Sequence, residues 1–408
     1  MEKMMINKPM VRLSVKRRAA ARKQVDKLIR GVASAHKAGK KRRCAYLASR
    51  YLQSFDARLV ATWRAYRKLN RHRRPDRKLL PSIAASLSPW TGTKEAAVVN
   101  MKEKGINGGY RLPMDFGIEN RALQYLLIPL LQATADLHPE QYLMKGGVHA
   151  AIDRVKELLL DGYVWTIESD ITDCFPSFEG GKLENFLPLP EKVIRHVVMA
   201  NDLSIVLGNI IYLFGPAKGD EGDPFMLARF SADARRGIPQ GSAASSFIAE
   251  MLLAGPLKSL SDNVGVVPTY ADNMLIMARC EKDAVTMKET LWGALKAHPV
   301  GHLQPKEQSK SGPGEPIDFL GHRLQLKGHD VKITPTPEND NDFYQHVTRG
   351  LKYVKKTSHS ANARQRRARE LRDYVGSWTD NFRRCDGMAE QKTLWLGKID
   401  AAIGAIGK

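Results

Sequence analysis

Apolar and polar positions along the chain change period several times. Over residues 11–72, good helix formers run with few breakers, which predicts a helical opening segment. The basic run at 71–78 reads as a linker, and glycines at 105–109 as a turn between two strands with Arg111 on the second. A helix is predicted over 119–132, with Pro129 in its C-terminal half, and an amphipathic one over 146–162. The period then shortens. Val164, Trp165 and Ile167 suit a half-buried strand that ends on Asp170. Residues 189–215 read as mainly helical, and 215–224 as an acidic loop. Residues 243–253 carry Phe247, Ile248, Met251 and Leu252 on one helical stripe, with Ser242 as a cap. Short apolar strands at 264–268 and 274–278 flank Tyr270-Ala-Asp-Asn273, a hairpin with Asp272 at its tip. Residues 281–297 return to helix, 302–310 read as a loop, 318–324 as another hairpin, and 341–405 as helical.

Composition narrows the class. A chain of 408 residues with 43% hydrophobic content is globular and long enough for two or three sub-domains. No apolar run reaches the length of a membrane span, and the basic N-terminus has no apolar signal core, so neither membrane insertion nor secretion is expected. Cys44, Cys174, Cys280 and Cys385 are scattered, which fits a reducing compartment and no structural zinc.

Charge is the strongest compositional signal. Residues 1–80 hold 25 Lys and Arg against 4 Asp and Glu, so this segment carries the whole net charge of +21. Such a block predicts a polyanion-binding surface, with nucleic acid the expected partner. Arg17, Arg18, Arg42 and Arg43 are its candidate contacts. Tyr46, Tyr51, Trp63 and Tyr66 lie among the charges and suit either stacking on unpaired bases or ordinary core packing. Residues 349–384, with 11 basic against 3 acidic groups, form a second basic patch that includes Arg366, Arg367 and Trp378.

The candidate chemistry lies in the middle of the chain. A carboxylate at a buried strand end needs a partner, and a metal ion is one that suffices. Asp170 and Asp272 are two such carboxylates. Arg236-Gly-Ile-Pro-Gln-Gly-Ser242 forces an unusual backbone path before a helix.

The order of these segments resembles the reverse transcriptases of the bacterial group II intron, retron and phage-defence lineage over residues 100–325. Gly109-Tyr-Arg111 with Glu119-Asn-Arg121 looks like the fingers motifs. Ser169-Asp-Ile-Thr-Asp-Cys-Phe175, the 236–242 run, Tyr270-Ala-Asp-Asn273 and Asp318-Phe-Leu-Gly321 look like four palm motifs. The resemblance implies an α+β right-hand polymerase: a basic helical RNA-binding region at 1–80, fingers at 81–150, a palm with an antiparallel sheet at 151–325, and a helical thumb at 326–408. It implies an RNA-directed DNA polymerase of the bacterial cytoplasm that copies a structured non-coding RNA into DNA from dNTPs, in antiphage defence.

In that reading Asp170, Asp272 and the Ile171 carbonyl hold Mg²⁺. Arg111, Phe175, Gln240, Gly241, Lys306 and Lys310 serve the nucleotide, with Phe175 excluding a ribose 2′-hydroxyl and so disfavouring an RNA polymerase. Phe319, Leu320, Gly321, Arg366, Arg367 and Trp378 meet nucleic acid. Asn273 departs from the family, which has a second Asp there. Glu168, on the Asp170 face, is a candidate for restoring that charge. The substitution favours the alternative, a catalytically weak, maturase-like RNA-binding protein. No ribonuclease H carboxylate cluster or endonuclease Cys/His set is expected after Gly321.

Overall fold

Residues 14–103, 110–209, 224–261, 264–356 and 359–405 are described by a computed structural model, a mixed helix and sheet protein. The glycines at 105–109 and the acidic stretch 215–223 lie outside the described residues. The chain forms two units that interleave in sequence. One comprises Met1–Pro139, Ile171–Ser259 and Trp292–Pro305, the other Glu140–Asp170, Leu260–Leu291 and Lys306–Lys408.

In the first unit the basic segment forms α1 (Val15–Lys37), α2 (Lys41–Gln53) and α3 (Phe55–Lys68), followed by the short α4 (Leu80–Ser86). Ser14 and Ser54 cap α1 and α3, each hydroxyl accepting a backbone N–H three residues on. Ala21, Val25, Val32 and Ala35 give α1 one buried stripe. Helices α1 and α3 pack on α5 (Ile118–Thr134), whose Leu123, Leu126, Leu127, Leu130 and Leu131 are buried, and α2 packs chiefly on α1. Tyr51 is buried, and its hydroxyl donates to the Leu126 carbonyl at 3.0 Å. Tyr66 is also buried, whereas Trp63 is half-buried and Tyr46 exposed. The basic helices are therefore integral to this unit rather than a detachable arm.

The run at 71–78 is not a slack linker either. It forms two 3₁₀ turns, with Arg73 paired to Asp115, Arg77 donating to the Tyr66 hydroxyl, and Arg74 donating to the Leu69 and Arg67 carbonyls. Guanidinium donors in a rigid fork order a stretch that charge alone would extend.

Strand β1 (Ala97–Val99) pairs antiparallel with β4 (Met114–Asp115) and parallel with β6 (Ile205–Leu207). Strand β2 (Lys102–Glu103) pairs with β3 (Tyr110–Arg111). β6 corrects the helical expectation for 189–215, of which residues from 210 lie outside the description. The β-branched pair Ile205-Val206 follows the Asn201-Asp202 turn and finds an open edge on β1. Helices α7 (Pro224–Ala234) and α8 (Ser245–Lys258) complete the main elements here. α8 begins two residues later than expected, and Ser242 Oγ accepts from Ala244 N in the turn before it.

The second unit is built on a four-stranded sheet in the order β7 (Thr269–Tyr270), β8 (Asn273–Ala278), β5 (Trp165–Thr172), β9 (Gln304–Ser311). β9 replaces the loop expected at 302–310. Its side chains are polar and mostly exposed, so no apolar alternation marks it. It is an edge strand, where charge is the usual protection against further pairing. A meander of β10 (Ile317–Phe319), β11 (His322–Lys327) and β12 (Asp330–Pro335) follows. Helices α6 (Gly147–Leu160), α10 (Pro337–Lys355), α11 (Ala361–Asn381) and α12 (Met388–Gly404) share one core with it, through Leu158, Phe319, Phe343, Leu371, Trp378 and Trp395. Helix α9 (Glu281–Lys296) follows β8 in sequence.

Candidate active site

Strand β5 buries Ile167, Ser169 and Ile171 and leaves Glu168 and Asp170 on the less buried face, as two-residue alternation requires. Its neighbour β8 runs antiparallel, with Ser169 opposite Met274 as the last pair. One step further sets Asp170 opposite Asn273, beside Asp272. The β7–β8 hairpin carries Asp272 at its tip, as expected from sequence, but its first strand is Thr269–Tyr270 and the expected strand at 264–268 reduces to an isolated bridge at Val266. Ala271 reaches that tip with φ +55°, a left-handed conformation that costs a non-glycine residue about 1–2 kcal/mol. Asn273 turns its amide back into the hairpin, donating to the Tyr270 carbonyl at 3.4 Å.

One oxygen of Asp170, Oδ1, is buried and has no hydrogen-bond partner. A carboxylate oxygen withdrawn from water without a donor is unfavourable unless a cation takes it. Among the described residues no group of three or more His, Cys, Asp or Glu side chains is placed to hold a metal. Two carboxylates alone suit Mg²⁺, which keeps water and substrate phosphate oxygens in most of its six positions. The donor set fits that ion.

Glu168 is held by the Ser309 hydroxyl at 3.0 Å. Burial pushes its carboxyl above the usual range, with Asp318 and Asp170 adding to the rise and the Ser309 bond opposing it. Its folded-state proton affinity exceeds that of the unfolded chain. This group therefore favours folding most at acid pH, and that contribution is lost as pH rises through its folded pKa.

In the first unit, the chain after Ile171 turns sharply. The Ile171 carbonyl accepts from Cys174 N at 3.2 Å, Asp173 sits at φ +49°, and Phe175 opens a 3₁₀ turn. The loop 236–242 lies against this turn backbone to backbone. Ile238 N donates to the Phe175 carbonyl at 2.9 Å, and the Gln240 carbonyl accepts from Met114 N at 2.7 Å. Gly237 and Gly241 have φ of +63° and +94°. A Cβ on Gly237 would stand 2.0 Å from the Phe175 oxygen, and one on Gly241 2.4 Å from the Met114 oxygen. The glycine spacing that marked this run thus has a local cause, two close backbone approaches.

Beside the loop is a cavity of about 340 Å³ lined by Arg111, Arg229, Arg236, Tyr110, Asp173 and Gln240, among others. Three guanidinium groups in one cavity suit a polyphosphate. Asp233 accepts from the Tyr110 hydroxyl at 2.9 Å and lies 3.9 Å from Arg229. Arg229 and Asp233 were not singled out from sequence. Their only sequence signal is a four-residue spacing on one helix, and Tyr110 lies 123 residues from Asp233.

The remaining candidates separate. Lys310 is engaged by Glu281 at 2.6 Å, which holds its ammonium above the usual range. Lys306 is exposed, and its carbonyl accepts from Ser169 Oγ. Phe319 and Trp378 are 1% and 9% exposed and belong to the core, which leaves no face for nucleic acid. The Trp378 ring centroid lies 4.0 Å from that of Phe343 and 4.6 Å from that of Phe382. Leu320, at φ +49°, and Gly321 form the turn between β10 and β11. Arg366 and Arg367 line a groove of about 430 Å³ with Arg349, Tyr353 and Glu370, and both lie within 3.4 Å of Glu370. Arg42 and Arg43 are exposed in the first turn of α2, where no acidic side chain offsets them. Arg17 pairs with Asp56, and Arg18 lies over the Trp63 ring, 4.2 Å from its centroid.

No protein-family profile matches the chain. No curated protein matches it. Among solved structures it is similar to an apo telomerase from Candida tropicalis truncated from its C-terminal domain, at 12% identity and a TM-score of 0.39, over 60% of this chain and 56% of that one. It is also similar to a telomerase from Candida albicans in complex with a fragment of telomeric RNA, at 11% identity and a TM-score of 0.36, over 76% of this chain and 60% of that one. The chain spans less than two thirds of either.

Proposed function

We propose that the chain is an RNA-directed DNA polymerase of right-hand architecture that copies a partner non-coding RNA. The observation that carries this reading is the Asp170 oxygen, buried and unpartnered, on the strand beside the hairpin that presents Asp272. Asp170 and Asp272 would hold Mg²⁺. When bound, that ion lowers the pKa of the attacking hydroxyl and offsets charge on the leaving pyrophosphate. In the other unit, Arg111, Arg229 and Arg236 line a cavity that would take a polyphosphate. Asp233 lies 3.9 Å from Arg229, and Gln240 adds a polar group on the same wall.

The motif order supports the bacterial lineage and, with it, a role in antiphage defence. The maturase-like alternative, an RNA-binding protein of weak activity, is favoured by Asn273, whose amide serves the hairpin instead of adding a carboxylate. Primer extension on an RNA template with each dNTP separates the two. Incorporation that requires Mg²⁺ supports the polymerase, and RNA binding without incorporation supports the alternative. Asn273→Asp is expected to keep incorporating, since only a long hydrogen bond is removed. A collapse of activity would show that the amide itself is needed.

Phe175 supplies a test of sugar choice. The wild type is expected to prefer dNTP over rNTP strongly, and Phe175→Ala to lose most of that preference while remaining folded. The ratio of kcat/KM for dTTP and UTP measures it. Equal use of both by the wild type overturns the assignment.

A further inference from the structure

Helix α3 presents Val60, Trp63, Arg64, Arg67 and Lys68 at spacings that share one face. Arg22 of α1 faces them, because Ala21 and Leu59 let the two helices pack closely over Ala84. Together these six residues line a cavity of about 460 Å³. Among the described residues, no carboxylate pairs with any of its four cations, and none lines the cavity. The indole is held in place. It stacks on Tyr66 with ring centroids 5.5 Å apart, and Arg18 lies over it. Arg64 is held in turn over the Tyr125 ring, 4.7 Å from its centroid. Arg17 and Arg18, the residues expected from sequence, are engaged by Asp56 and Trp63, whereas Arg22, Arg67 and Lys68 have neither a carboxylate nor a ring partner among the described residues, and Arg64 has a ring but no carboxylate.

Four like charges around an apolar floor call for an anion that also offers a flat apolar face. A lone phosphate lacks the face, and a duplex hides its bases in the stack. An unpaired strand offers both. We propose that this groove binds an unpaired stretch of nucleic acid, with one base against Trp63 and the flanking phosphates on Arg22, Arg64, Arg67 and Lys68. The proposal deepens the RNA-partner reading by naming the segment of partner that is held, and its test involves no polymerisation.

Binding of the full-length protein to short fluorescein-labelled oligo(U), oligo(dT) and a blunt RNA hairpin is measured by anisotropy across salt, in EDTA and without nucleotide. Oligo(U) is expected to bind tighter than the hairpin. The combined Arg22→Ala, Arg64→Ala, Arg67→Ala and Lys68→Ala variant is expected to flatten its salt slope by about 2–3, at roughly 0.7 for each phosphate no longer neutralised. Arg67→Ala with Lys68→Ala, both exposed, should flatten it by about 1.4 with the fold intact by circular dichroism. Trp63→Leu is expected to weaken binding about tenfold with the slope unchanged, the scale of one base stack. Tighter binding of oligo(U) than oligo(dT) identifies RNA as the source of the strand, and equal binding extends the site to either. An unchanged slope in both charge variants overturns the proposal. So does hairpin binding as tight as oligo(U), or displacement of oligo(U) by phosphatidylserine vesicles. Asp272→Ala is expected to bind oligo(U) like the wild type, so loss of polymerisation and loss of this site are told apart.

Discussion

Asp272→Ala and Asp170→Ala are each expected to reduce dNTP incorporation by about a thousandfold or more, roughly 4 kcal/mol of transition-state stabilisation. Neither should unfold the protein. For Asp170 the expectation is stronger. Its Oδ1 is buried with no donor, so without Mg²⁺ the side chain is a cost to the fold. Removing an unsatisfied buried polar group recovers about 1–3 kcal/mol. Asp170→Ala should therefore melt at or above the wild type in EDTA. Adding millimolar Mg²⁺ should raise the wild-type melting temperature and leave the variant unmoved, since only a ligand that binds the folded state stabilises it. Retained incorporation in Asp272→Ala would sink the assignment. A sharp fall in the Asp170→Ala melting temperature in EDTA would show that the carboxylate has a structural partner instead.

Gly237→Ala is the second large effect, and it acts on the fold. The position has φ +63°, and an added Cβ meets the Phe175 oxygen at 2.0 Å and the Pro176 Cα at 2.7 Å. The left-handed penalty is about 1–2 kcal/mol, and forced displacement of packed backbone adds about 1–3. A loss of roughly 2–5 kcal/mol is expected, read from urea unfolding with an unchanged m-value. Gly293→Ala serves as the control. That glycine lies in α9 with nothing within 4 Å of a built Cβ, so alanine should stabilise by about 0.5–1 kcal/mol. If Gly237→Ala is as stable as the wild type, the close approach of the 236–242 loop to the Phe175 turn is wrong.

These two effects also show which parts of the structure could be read in the sequence. Asp170 and Asp272 stood out because a period-two apolar run that ends on a carboxylate is a local signal. The hairpin at 270–273 formed as expected. The glycines at 237 and 241 announced a special backbone, but what they approach lies more than sixty residues away for Phe175 and over a hundred for Met114. β9 was invisible because an edge strand of Lys, Glu, Gln and Ser has no apolar face to alternate. The expectation that Trp378 and Phe319 meet nucleic acid came from the resemblance of their segments to reverse-transcriptase motifs, not from a local burial signal. Their burial is decided by Phe343 and Trp395, on other helices. In the N-terminal region the charge was legible, but its division into Arg17 and Arg18, which support the fold, and Arg22 and Arg67, which stay open, depends on Asp56 and Trp63.

The bond from Ile238 to residue 175 has an evolutionary consequence. It uses the carbonyl of Phe175 and makes no demand on the ring. The loop and the turn are thus fastened by groups that every amino acid possesses. A lineage can exchange the side chain at 175 and so retune which sugar is accepted, while the fastening is inherited unchanged. Drift at 237 is closed off by the same contact that leaves 175 open, so substitutions should accumulate at one end of this bond and be purged at the other.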